Sequence, residues 1–116
     1  MEFNEVASMA MEFLGAPYLA DRFGGFYSDA DAARARAHHL ESVLQLWPYI
    51  AAGDAFQHWI YTHPDDAAVP AKCDAEYTRL WHRFMPGVDW TGLEDVLASR
   101  WQRVPHFYKH PFYYLE

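Results

Sequence analysis

Residues 44–64, LQLWPYIAAGDAFQHWIYTHP, constrain this chain most. The stretch is long, mostly apolar and central, and it holds two of the five tryptophans. Upstream, apolar residues recur in steps of four and three: Ala33, Ala37, Leu40, Leu44 and Trp47. That is the period of a helix with one buried face. Carried forward, the same steps reach Ala51, Asp54 and His58. An acid and an imidazole four residues apart share a helical face, here one expected to meet a core. Burying them unpaired is costly. Two readings follow: an Asp54–His58 bond that fixes packing, or one wall of a site. Pro48 is expected to kink the helix.

The other segments also read as helices. Phe3, Val6, Ala10, Phe13 and Leu14 form a stripe over 2–14, closed by Gly15 and Pro17. Glu5 and Glu12, seven apart, lie together on another face of it. Ser28 with Asp31 makes a cap for the long central helix, which His63-Pro64 ends. His38 and His39 point about 100° apart and read as solvated surface. Cys73, Tyr77, Leu80, Trp81 and Phe84 give a core stripe over 71–85. Thr91 with Glu94 reads as a capping box for a helix from Gly92 to Trp101, buried through Leu93, Leu97 and Trp101. The tail from Arg103 is rich in proline, histidine and aromatic residues and reads as irregular. No segment alternates cleanly, so the expected fold is all-α: a single helical domain over 1–116, with four to five helices bundled ahead of an aromatic C-terminal segment.

Several functions are disfavoured. A formal charge of −7 argues against a nucleic-acid partner. No apolar run is long enough to cross a bilayer, so no membrane partner is expected. The acidic N-terminal residues do not form a signal peptide. Cys73 is the single cysteine and cannot make an internal disulfide, which fits a reducing, cytoplasmic setting. His106 and His110 have the i, i+4 spacing that can grip zinc on a helix, but Phe107 stands where the metalloprotease motif needs glutamate. No P-loop, dinucleotide fingerprint or nucleophile elbow occurs.

Three blocks carry a resemblance: EFNEVASMAMEFL at 2–14, LWPYIAAGDAFQHWIYTHP at 46–64, and VDWTGLEDVLASRWQRVPHFYKHPFYYLE at 88–116. In this order they resemble the C-terminal part of the catalytic domain of oligoendopeptidase F-type zinc metallopeptidases, relatives of thimet oligopeptidase. That resemblance implies a parent that hydrolyses oligopeptides with zinc-activated water. It makes Glu5 the third zinc ligand and Glu12 a supporting carboxylate of the same helix. His106 with Tyr113 or Tyr114 would hydrogen-bond the oxyanion formed at the peptide carbonyl. Asp54 and His58, which the resemblance does not assign, are expected to be supporting or structural.

The family's other two ligands come from an HExxH helix, and no HExxH occurs in this chain. Catalytic zinc needs three protein ligands. The chain is therefore expected to be a fragment, to bind no zinc alone and to be inactive alone. Faces that the missing helices would cover are expected to drive homo-oligomerisation. The alternatives are a stand-alone helical interaction module, and an enzyme completed by a second chain that carries HExxH.

Overall fold

A computed structural model describes Asn4–His110 and Phe112, with the side chains described from Val6 onward. The expected all-α fold is what it shows. Six α-helices are described: α1 Asn4–Gly15, α2 Asp29–Thr62, α3 Pro64–Ala67, α4 Pro70–Phe84, α5 Glu94–Ala98 and α6 His106–Lys109. Single 3₁₀ turns cover Ala16–Tyr18, Asp21–Phe23 and Ser99–Arg103. The described residues contain no strand, only an isolated bridge between Ala20 and Tyr27. Among them, no helix is long and apolar enough to cross a membrane.

Local chemistry explains where these elements start and stop. Ser28 Oγ accepts the Asp31 backbone N–H at 3.2 Å and donates to the Asp31 carboxylate at 2.6 Å. This reciprocal cap starts α2 where the sequence places it. Pro64 and Pro70 both occupy first-turn positions, where a missing N–H costs nothing. The expected capping box at Thr91 is rearranged. Thr91 turns back to Asp89, whose Oδ1 accepts both its N–H at 2.9 Å and its hydroxyl at 2.7 Å. Those bonds hold the Asp89 carboxyl below the usual carboxylate range. Glu94 accepts the N–H of Gly92 instead, and the helix begins at Glu94. It is also shorter than expected, passing into the 3₁₀ turn at Ser99. The tail, read as irregular, contains the short helix α6.

The described residues form two compact units, one ending at Leu46 and the other beginning at Trp47. In the first, Ala20, Ala32 and Val43 are buried. Between its 3₁₀ turns and α2 the backbone doubles back. Gly24 adopts φ +89°, and a Cβ at Gly25 would overlap the Leu19 carbonyl. The expected α1 stripe is not a core face here. Val6 and Phe13 are 38% exposed and Leu14 66%, while Phe3 lies outside the described residues.

The second unit has an aromatic core. Phe56, Cys73, Tyr77, Leu80, Trp81 and Leu97 are each no more than 3% exposed. Cys73, Tyr77, Leu80 and Trp81 are the α4 stripe that the sequence predicts. Phe56 meets Tyr77 edge-on at 5.1 Å and Phe107 at 5.3 Å, offset geometries that aromatic pairs favour. Leu93, expected on the buried side with Leu97, is 51% exposed.

The register of α2 corrects the sequence reading. Leu40, Leu44 and Trp47, expected inside, are 54%, 71% and 57% exposed. Ala32, His39, Val43, Ile50, Gly53 and Gln57, each one residue before the expected position, are buried or half-buried, while Arg36 and Leu46 on that line are exposed and Ala51 and Asp54 of the expected line are half-buried. One residue is about 100° of rotation. Phe56 explains the shift: it is fully buried, and residues two positions either side of it lie about 200° around the helix. Burying this ring is favourable where burying Asp54 and His58 is not. α2 runs through Pro48 as one helix.

Candidate functional site

In the first unit, Glu12 and His39 link helices α1 and α2. His39 Nε2 hydrogen-bonds Glu12 Oε2 at 2.9 Å, and the His39 ring lies 4.8 Å from that of Phe13. His39, read from sequence as solvated surface, is half-buried; His38 remains exposed. A cavity of about 330 Å³ opens beside the pair, walled by Met11, Leu19 and Arg36 among others. A carboxylate bonded to an imidazole is oriented. Glu5 stands on the same helix, but its side chain lies outside the described residues.

In the second unit, Asp54 is half-buried on α2 and His58 one turn later is exposed. His58 Nε2 lies 3.6 Å from Asp54 Oδ1, an ion-pair separation too long for a hydrogen bond. Asp54 Oδ1 itself is buried without a hydrogen-bond partner among the described residues. The His58 ring packs on Phe112 at 4.9 Å, and Tyr61 packs on the same ring at 4.8 Å. Phe112 takes φ +53°, the left-handed region that bulky residues avoid.

Gln57, which the sequence reading passed over, joins this edge to the tail. It is 1% exposed, and its Nε2 donates to the carbonyl oxygen of His110 at 3.2 Å. Its neighbour His58 drew attention, whereas only the correct register reveals Gln57 as a polar group in a core. His106 is half-buried at the start of α6, and Phe107 beside it enters the aromatic core. His110 follows α6 with extended backbone, so the His106/His110 spacing does not sit on one continuous helix. Tyr113 and Tyr114 lie outside the described residues.

A third feature was also missed. Arg100 lies over the ring of Trp81 at 4.8 Å, and Asp74 accepts the indole N–H of Trp101 at 2.7 Å. Burial pushes the Tyr77 hydroxyl up to about 12; Tyr49 adds to this and Arg100 opposes it.

Catalytic zinc requires at least three protein ligands. Among the described residues no three His, Cys, Asp or Glu side chains are grouped to hold a metal ion. The donor set described does not fit a catalytic zinc by itself. Comparisons with protein-family models, curated proteins and solved structures find no match.

Proposed function

We propose that these residues form the C-terminal part of an oligoendopeptidase F-type catalytic domain, and that the chain alone neither holds zinc nor cleaves peptides. The reading rests on the three sequence blocks and their order. Two structural observations support it. Blocks 46–64 and 88–116, far apart in sequence, meet in one unit: Phe56 packs on Phe107, and Gln57 bonds the His110 carbonyl. That arrangement anchors residues 106–110, where the resemblance puts His106. The bond from His39 to Glu12 is likewise what a supporting carboxylate on the ligand helix needs. In the complete site Glu5 would be the chain's zinc ligand, and an oligopeptide the substrate.

The test has two arms. Purified chain dialysed against zinc is expected to retain no stoichiometric metal and to leave a fluorogenic oligopeptide intact. Co-expression with an HExxH-bearing segment of the same family is expected to restore zinc-dependent cleavage, and Glu5→Gln is expected to abolish it. One zinc per chain in the first arm, or cleavage that survives Glu5→Gln in the second, overturns the proposal.

A second reading is favoured by a different observation. Leu40 and Leu44 are 54% and 71% exposed on α2, apolar area that a chain standing alone would cover by association. It makes the protein a helical interaction module that forms homo-oligomers.

A further inference from the structure

Arg100 is held among three aromatic rings. Its guanidinium carbon lies 4.8 Å from the ring centroid of Trp81, 5.8 Å from Trp90 and 5.9 Å from Tyr49. The rings are themselves fixed: Trp81 meets Tyr49 at 5.8 Å and Trp90 at 5.7 Å, both edge-on. A guanidinium so placed gains cation–π attraction and loses little further freedom when it binds a ligand. Ring faces and the neighbouring Tyr77 hydroxyl offset only part of the cost of half-burying a charge. No carboxylate pairs with Arg100 or with Arg103 among the ion pairs of the described residues. This stands out in a chain with 16 acidic and 9 basic residues. Both arginines line one cavity of about 320 Å³, with Tyr49, Ser99 and the apolar walls Val96 and Val104.

We propose that this cavity binds a carboxylate carried on a short aliphatic group. The planar fork of Arg100 matches a carboxylate in two parallel hydrogen bonds, and Arg103 adds a second positive charge at the exposed rim. Val96 and Val104 give an aliphatic neighbour a surface to cover. A compact inorganic anion would leave those walls unused. The proposal is independent of the peptidase reading, because it uses no zinc, Glu5 or His106.

The experiment titrates the full chain and follows tryptophan fluorescence, since two indoles lie against Arg100. The probes are N-acetyl-leucine, N-acetyl-leucinamide, the tripeptide acid Ala-Ala-Leu, and inorganic phosphate. Saturable binding of both acids is expected, with the amide and phosphate at least about tenfold weaker, the scale of one charge-assisted contact. Arg103→Gln, an exposed substitution, is expected to weaken the acids about tenfold with an unchanged far-UV circular dichroism spectrum. Arg100→Lys keeps the charge, removes the fork and is expected to weaken them similarly. The tripeptide binding more tightly than N-acetyl-leucine would assign the carboxylate to a peptide C-terminus, and the reverse order to a free acid. Equal binding of acid and amide, equal binding of phosphate, no saturable signal, or wild-type behaviour of Arg103→Gln overturns the assignment.

Discussion

The side-chain amide of Gln57 donates to the carbonyl oxygen of His110, 53 residues later, at 3.2 Å. It does so from a position that is 1% exposed, so the amide has little water to turn to. Gln57→Leu keeps the volume and removes the donor. The expected cost is about 1 kcal/mol, the net worth of one such bond. The clearer effect is local. The amides of Tyr108, Lys109 and His110, which bond to Pro105 and His106, are expected to exchange with deuterium faster in the variant. Core amides of α4 should keep their protection. Unchanged exchange at 108–110 would show that the Gln57 bond does not hold the tail.

Tyr77 predicts a pH dependence of known sign. Burial favours the neutral phenol, so the Tyr77 hydroxyl is pushed up from its ordinary value near 10 to about 12. A raised folded value gives stability that is fully present below the unfolded pKa. It is then lost as pH climbs from about 10 to about 12. Tyrosinate absorbance should show one hydroxyl titrating late, together with the loss of helix. Tyr77→Phe should remove that late step. Its stability should fall less steeply over the same interval than that of the wild type.

Trp101 and Asp74 make a half-buried bond that ties the Ser99–Arg103 turn to α4, with the indole N–H donating at 2.7 Å. Asp74→Leu strands that donor and is expected to cost about 1–3 kcal/mol. Asp74→Asn keeps a carbonyl acceptor and should recover most of it. Thermal unfolding followed by circular dichroism checks both. Equal loss in the two variants would mean that the negative charge matters rather than the acceptor.

The α4 stripe shows what was legible in the sequence. Cys73, Tyr77, Leu80 and Trp81 are large, consecutive along one helical face and flanked by charge, so period and composition agree. Ser28 was legible for a similar reason, since a side chain that bonds its own helix needs no tertiary partner. The register of α2 was not legible. Its leucines and alanines admit more than one apolar line, and only packing decides among them. Phe56 at the centre of the core selects a line one residue earlier than the run of leucines suggests. That single step turns His58 outward, leaves Asp54 half-buried and brings Gln57 and His39 in. Arg100 was hidden for another reason: its ring partners come from α2, α4 and the loop before α5, and no local spacing joins Tyr49, Trp81 and Trp90.

Leu40 and Leu44 provide the sharpest test of association. They lie four residues apart on α2, the spacing of one helical face, and are 54% and 71% exposed. Ala33 and Ala37 extend the same line and are exposed as well. Each leucine side chain is worth roughly 1.5–3 kcal/mol when fully removed from water, so a paired face of this kind can hold two copies together. The purified chain is expected to sediment as a dimer or larger species at micromolar concentration. Replacing both residues, Leu40→Lys with Leu44→Lys, puts charge on that face and should return a monomer. The helical signal should hardly change, because exposed substitutions away from special features shift stability by only about 0.5 kcal/mol. A wild-type chain that sediments cleanly as a monomer would remove the association reading. A double variant that remains oligomeric would place the contact on some other face, with the exposed α1 residues Met11 and Leu14 the next to be changed.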